Sequence, residues 1–384
     1  MNFQPITGSP SSTEPEVEIS VESNLDAIGQ ERWNALWARS EAPSVFARFE
    51  WAKAWWRSFG SGRELRLYTA RINGELAGLL PTSWPAEHGG ASSAVVLVGD
   101  EHADYAGILS AHGSGRVLQA LLEAVSREIP AAGNLLLRDI RSDTRCARKL
   151  ERHSSRFVSR WLLVSTTPCP RASLGPDRLK ILLNKDSLRR HSKKLHRLGQ
   201  VGVQHFEQAA DILPRLAAFF EQHIARWSDS EWPSLFLKQS NRIFYSRLVD
   251  ELSGTGQLVF TELSLDGAPA AFHFGFVSEG DLLWYKPSFN LQLARYSPGE
   301  VLLRELLLFA EKRGLSGIDF TRGNEAFKRR FSDEERYTET FRFCANRSEA
   351  LRSRGQRVLR HHMRAFATTR SGSALRRWLE TIRR

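Results

Sequence analysis

Leu258-Val259-Phe260-Thr261-Glu262-Leu263-Ser264-Leu265, then Asp266-Gly267, then an alternating apolar run through His273 to Val277, is the stretch whose reading decides the fold. Two extended segments joined by Asp-Gly make a hairpin, because the tight turn needs positive φ at both central positions. Leu282-Leu283-Trp284-Tyr285 supplies a third strand. A loop ending Tyr296-Ser297-Pro298-Gly299 leads into an apolar helix that runs to Arg313, with Gly314 fit to end it. Ile318–Phe320 and Tyr337–Phe343 read as the remaining strands. A strand and loop feeding a helix N-terminus can present backbone N–H groups to a phosphate.

The first half repeats this order. Val17–Val21 alternates like a strand, and helical stretches follow around Trp33–Arg39 and Glu50–Phe59. Leu65–Ile72, Asn73-Gly74 and Glu75–Pro81 form a second hairpin signal. Then come a strand Ala94–Val98, a Gly-bearing loop His112–Gly115, an amphipathic helix Val117–Glu128, a strand Leu135–Ile140, a helix Thr144–Val158 and a strand Trp161–Thr166. The halves share little residue identity, so the duplication is one of topology. The expected organisation is a disordered leader over 1–16, a first domain over 17–167, a basic linker helix region over 168–199, a second, donor-binding domain over 200–346, and a basic amphipathic tail over 347–384.

At 384 residues the chain is long enough for two ordinary domains. Its 41% hydrophobic and 25% charged content is that of a soluble globular protein. No apolar run of about 18 residues is present, so no membrane-spanning helix is expected. Met1–Glu16 is polar and rich in Ser, Pro and Thr, without the basic start and apolar stretch of a secretory signal. Cys146, Cys169 and Cys344 have a spacing that suits neither a disulfide framework nor a zinc site, which points to a reducing cytoplasm. The net charge of +11 is concentrated after Arg347, where arginines face only Glu349 and Glu380. Val358, Leu359, His362, Met363 and Phe366 form one apolar stripe among them, and Leu375, Trp378, Leu379 and Ile382 another. Such a segment binds an anionic membrane from the cytoplasmic side, holds nucleic acid, packs its stripe on the second domain, or is simply solvated.

Several blocks carry a resemblance. Phe46-Ala47-Arg48-Phe49-Glu50-Trp51, with Trp55-Trp56 and Phe59-Gly60 after it, resembles the start of the CelD/BcsL-type acetyltransferases associated with cellulose and exopolysaccharide synthesis. Arg189-Arg190, Lys194-Leu195 and Gly199 resemble their linker. Tyr296–Leu303 and Asp319–Lys328 resemble their most distinctive block. The resemblance spans Leu25 to Phe343. It implies tandem GNAT-like domains arranged as in the FemABX peptidyltransferases. The implied class is α/β (α+β), each domain a mixed, mainly antiparallel sheet flanked by helices. It also implies acyl transfer from acetyl-CoA or another acyl-CoA, with no metal, to a hydroxyl or amine of a saccharide or amine acceptor in exopolysaccharide or cell-envelope biosynthesis. The chain departs from the family at two points: the phosphate-loop signature is reduced to Gly299 after Pro298, and Phe327 stands in place of a tyrosine. The competing readings are a FemABX-like transferase that takes its acyl group from aminoacyl-tRNA, and a non-catalytic module recruited to the envelope.

Acyl transfer needs a docked donor, a stabilised oxyanion and a route for the nucleophile's proton. Ser297, Gly299, Glu300 and Val301 are the candidates for holding a pyrophosphate, against an ordinary Pro-started helix. Tyr285, at a strand end, can protonate a leaving thiolate or act as an amphipathic cap. His273 lies on the small-residue face with Ala271 and Gly275, where it is a base or a core histidine satisfied by a partner. Asp319, Arg322, Gly323, Glu325 and Lys328 form the densest polar cluster at a strand end, suited to catalysis by Asp319 and substrate binding by the rest, or to a structural ion pair. Arg189 and Arg190 contact a phosphate or an acidic sugar, or are solvated. No catalytic Ser elbow or Cys–His pair is evident, which favours direct attack in a ternary complex over an acyl-enzyme.

Overall fold

The computed structural model describes residues 16–86, 94–111, 114–129, 133–156 and 158–356. The tail stripes from Val358 onward, most of the leader and the His112-Gly113 loop lie outside the described residues.

The first half contains β1 (Glu18–Glu22), α1 (Leu25–Ile28), α2 (Gln30–Ala38), α3 (Phe49–Phe59), β2 (Arg63–Ile72), β3 (Glu75–Pro85), β4 (Val95–Leu97), β5 (Leu109–Ser110), α4 (Gly115–Glu128), β6 (Leu135–Arg141), α5 (Arg145–Ser155) and β7 (Trp161–Ser173). Two helices, α6 (Pro176–Leu183) and α7 (Asp186–His196), follow. The second half contains β8 (Val201–Phe206), α8 (Ala209–Ile212), α9 (Leu216–Arg226), α10 (Gln239–Leu252), β9 (Leu258–Leu265), β10 (Ala268–Ser278), β11 (Asp281–Phe289), α11 (Pro298–Lys312), β12 (Gly317–Asp319), α12 (Ala326–Phe331) and β13 (Glu334–Phe343).

Both hairpins form as their turns require. Asn73 and Gly74 have φ of 52° and 79°, and Asp266 and Gly267 have φ of 50° and 79°, the left-handed pair that closes a two-residue turn. β2 pairs with β3 and β9 with β10, both antiparallel.

The strands form one sheet in the order β1-β2-β3-β4-β6-β13-β7-β12-β11-β10-β9-β8, with β5 on β3. The last strand of each half crosses into the other. β13, from the second half, lies between β6 and β7; β7, from the first, lies between β13 and β12. β7 was expected to end at Thr166 and instead runs to Ser173. Pro168 and Pro170 argue against a central strand, but their carbonyls accept from Gly323 and Phe320 just past the end of β12. Their missing N–H groups fall on that same side, so the ladder to β13 loses nothing.

One core joins the halves: Phe46, Trp51 and Trp55 pack with Phe236, Phe244, Phe276 and Tyr285. Each half also has its own core on the opposite face, under α4 and α5 in the first and under α6, α7 and α11 in the second. Cys146, Cys169 and Cys344 are free and buried. No described helix is long and apolar enough to cross a membrane.

Candidate active site

β11 decides the site. It pairs in parallel with β12 only over Asp281↔Gly317, Leu282↔Ile318 and Leu283↔Asp319. From Trp284 onward it is held by β10 alone, so its other edge is free of β12 as far as Phe289. Trp284, Phe320 and Phe327 pack where the two strands part, with ring centroids 5.8–6.3 Å apart.

A bulge then redirects the strand. Phe276 pairs with Leu283 and Phe274 with Lys286, so the single Gly275 opposes both Trp284 and Tyr285. The extra residue shifts the alternation by one. Lys286 therefore faces the core shared between the halves, as Phe274 does, rather than the α11 side. A Cβ at position 275 would meet the His273 ring and the Leu283 carbonyl, so glycine is required at the bulge.

Lys286 lines a cavity of about 670 Å³ between the halves, within the range of small-molecule sites. The first half contributes Trp55, Phe59, Arg63, Asp100, His102 and Arg138; the second contributes Pro233 to Leu235, Lys238, Asn241 and Tyr245. The His102 ring is fixed in orientation: Trp55 Nε1 donates to Nδ1 at 3.3 Å, and Nε2 lies 2.9 Å from Asn241 Oδ1. Arg138 pairs with Asp100. Lys286 makes no hydrogen bond or ion pair with a described residue; its ammonium sits 3.8 Å from the centre of the Tyr285 ring. Burial pushes it down to about 8, helped by Arg322 and Lys328 and opposed by Asp104.

Behind this wall the halves are tied by buried charge. Arg322 donates to Asp104 at 3.1 Å and to Asp139. Burial works against ionisation of Asp104, yet Lys286 and Arg322 hold its carboxyl below the ordinary value. At Asp139 burial prevails over Arg322 and the carboxyl is raised. Asp319 Oδ1 accepts from Tyr105 Oη and from Thr321 N, each at 2.7 Å, and Oδ2 from Arg336 at 3.3 Å. Burial still lifts Asp319 to about 6. Lys328 donates to the Arg322 carbonyl and pairs with Glu325 at 3.2 Å. Gly323 has φ of 131°, and a side chain there would strike Glu325 and Lys328. Asp319, Arg322, Gly323, Glu325 and Lys328 are thus one interlocked loop, turned toward the first half.

The other expected residues are placed apart from this cluster. Tyr285 is buried; its hydroxyl donates to the His102 carbonyl at 2.5 Å and accepts from Tyr245 Oη at 2.9 Å. Burial and these neighbours hold its phenol well above the ordinary value. His273 is wholly buried and lines none of the cavities described: Nε2 donates to the Leu283 carbonyl at 3.1 Å, the ring stacks on Trp284, and Nδ1 has no partner. At the start of α11, Ser297 is left-handed with φ of 53°. Glu300 and Val301 already donate to the Ser297 carbonyl and Pro298 has no N–H, which leaves the Gly299 N–H unspent in the first turn. The Glu300 carboxylate is held by His191 and Arg330. Arg189 and Arg190 are exposed on α7 without an ion-pair partner among the described residues. The sequence reading missed Lys286, His102, Asn241 and Arg138. A lone lysine after Trp284-Tyr285 was the one available signal, and strict alternation aims it the wrong way.

The buried histidines set an acid limit on stability. Burial lowers His273 and His223 to about 3 and His205 to about 4. Unfolding exposes them to titrate near 6.5, so below that pH the unfolded chain binds more protons and stability is lost. Asp319 acts in the opposite sense, because its raised value favours the folded state as pH falls through 6. His102 is lowered by burial and adds to the histidines, while Asp100 and Asp139 are raised by burial and add to Asp319. The large histidine shifts are expected to outweigh the carboxyls, so stability falls as pH drops from 6.5 toward 4.5. Urea unfolding at pH 7.5 and 5 measures this, and equal midpoints would contradict it.

The hairpin, β11, α11 and β12 of the second half and their counterparts in the first define the class: a GNAT fold in tandem, its mixed and mainly antiparallel sheet flanked by helices. A family profile described as an acetyltransferase (GNAT) domain matches residues 184–329. Among solved structures, the chain is similar to FemX, with 12% identity and a TM-score of 0.57 over 82% of this chain and 96% of that one. It is similar to the C-terminal domain of a protein named as a lysylphosphatidylglycerol synthetase from Agrobacterium fabrum, with 11% identity and a TM-score of 0.52 over 85% and 94% of the two chains. L-PGS from Bacillus licheniformis gives 11% and 0.51 over 84% and 93%. No curated protein matches the sequence.

Proposed function

We propose that the chain is an acyltransferase that moves an acyl group, acetyl in the simplest case, from acyl-CoA to a hydroxyl or amine acceptor by direct attack in a ternary complex. The observation that carries this reading is the free edge of β11, which begins two residues before Lys286 emerges on the wall of the cavity between the halves. The thioester, when bound, supplies an activated acyl carbon. The chain's own residues do the rest. The positive end of α11 and the Gly299 N–H receive a phosphate, with Ser297, Glu300 and Val301 shaping the turn. The unpaired edge after Leu283 offers backbone N–H groups to the acyl oxygen. The cavity holds the acceptor against His102, Asn241 and Arg138, and Asp319, Arg322, Gly323, Glu325 and Lys328 hold the halves together behind its wall. The resemblance of Tyr296–Leu303 and Asp319–Lys328 to CelD/BcsL-type proteins makes a saccharide of the exopolysaccharide or cell envelope the first acceptor to try.

Calorimetry with acetyl-CoA, longer acyl-CoAs and free CoA tests the donor. A ligand present at a hundredfold its Kd is expected to raise the unfolding free energy by about 2.7 kcal/mol. A folded chain that binds none of them would sink the reading.

A second reading, transfer from an aminoacyl-tRNA, is favoured by the exposed face of α7. Arg189, Arg190, Lys193, Lys194 and Arg197 are exposed there without ion-pair partners among the described residues. α7 packs on α11, the donor helix, and touches it through His191 and Glu300. A tRNA mobility shift that weakens steeply with salt, together with no acyl-CoA binding, would decide for it.

A further inference from the structure

We propose that Lys286 is the proton acceptor for the attacking group of the acceptor. The proposal rests on the acyltransfer reading above and names the residue that reading leaves open.

Four observations converge on it. First, the β-bulge opposite Gly275 serves to turn Lys286 out of the pattern of its strand. Without the bulge Lys286 would point at the apolar core under α11. Bulges that re-aim one side chain concentrate beside active sites. Second, Lys286 is half-buried on the cavity wall and makes no hydrogen bond or ion pair with a described residue. The Tyr285 ring faces its ammonium at 3.8 Å, and its N–H donors are left available to a ligand. Third, it stands three positions past the last β11–β12 pair, where the strand edge becomes free. Fourth, the other candidates for the task are committed: the Tyr285 hydroxyl to His102 and Tyr245, His273 to the Leu283 carbonyl, Asp319 to Tyr105 and Thr321. The His102 ring is held by Trp55 and Asn241.

The charges facing Lys286 set its protonation. Arg322, from the loop after β12, and Lys328, on α12, disfavour the ammonium, as does burial, and Asp104 favours it. Arg63, Asp100, Glu101, His102, Arg138 and Lys238 line the cavity it faces. The balance leaves the amine and the ammonium both populated near neutral pH.

The step balances. The acceptor O–H or N–H gives its proton to neutral Lys286 Nζ as its oxygen or nitrogen bonds the acyl carbon. The C–S bond of the thioester then breaks, and the thiolate takes the proton from the ammonium, restoring the amine.

Two measurements test this on the full chain. The first needs no turnover: ¹⁵N-lysine NMR follows Nζ of Lys286 through a pH titration. A midpoint near 8 is expected, moving to lower pH in Asp104→Asn. A midpoint in the ordinary lysine range, near 10.4, overturns the proposal whatever the enzyme does. The second uses acetyl-CoA with hydroxylamine as the acceptor, reading thiol release. Lys286→Gln and Lys286→Arg are both expected to lose at least about a hundredfold in kcat with KM for acetyl-CoA unchanged. The wild-type rate is expected to rise with pH through the NMR midpoint, and Asp104→Asn to shift that limb to lower pH. Arginine keeps the charge and cannot accept a proton, so a Lys286→Arg enzyme with near wild-type kcat also overturns the proposal. A wild-type chain that releases no thiol defeats the acyl-CoA reading instead, and the NMR midpoint still decides Lys286.

Discussion

Replacing Arg322 by alanine is expected to lower the unfolding free energy by about 3–5 kcal/mol. Arg322 is the cation between Asp104 and Asp139, both of which are at most 5% exposed. Removing it leaves two carboxylates facing each other in a medium that solvates neither. The cost is that of uncompensated buried charge rather than of two lost hydrogen bonds, which would total only about 1–3 kcal/mol. The triple variant Arg322→Ala, Asp104→Asn, Asp139→Asn should recover much of the loss, since the amides carry no charge to desolvate. Denaturant unfolding of the two variants at pH 7.5 checks both statements. A single-variant loss under about 1 kcal/mol would mean that water reaches the network and screens it.

The second large effect concerns the halves. Cut between Gly199 and Gln200, neither piece is expected to fold alone, although each keeps its own hairpin. α6 and α7, which cover the core of the second half, would go with the first piece. The first piece would lack β13, which fills the place between β6 and β7. The second would lack β7, leaving β12 open on one side and Arg171 missing from Asp281, its partner at 2.7 Å. The shared core would also be split, exposing Phe46 and Trp51 on one piece and Phe244 and Phe276 on the other. Far-UV circular dichroism and ¹⁵N spectra should show disordered pieces that become ordered when mixed, and the intact chain should unfold in one transition. Two transitions, or a folded second piece alone, would show that the exchanged strands contribute little.

Much of the fold is legible in the sequence because it is local. Asn73-Gly74 and Asp266-Gly267 fix two hairpins through backbone φ alone, and the apolar periodicity between them gives the helices that cover the sheet. Gly314, with φ of 66°, closes α11 where a helix terminator is expected. The polar loop from Asp319 to Lys328 is legible as a cluster by its density of charge. Its direction is not, because Asp104, Asp139 and Tyr105, which orient it, are more than 180 residues away in the chain.

The sequence by itself therefore determined the order of strands and helices, the two turns, and the class of chemistry its blocks resemble, since each depends on residues within a few positions of one another. Only the tertiary structure decided that β7 and β13 trade places, that Pro168 and Pro170 are harmless inside a central strand, and that Lys286 rather than His273 reaches the cavity. Those outcomes turn on which neighbour a strand edge meets. A single inserted residue opposite Gly275 reverses the side that every later side chain of β11 faces, and no periodicity within β11 carries a trace of it.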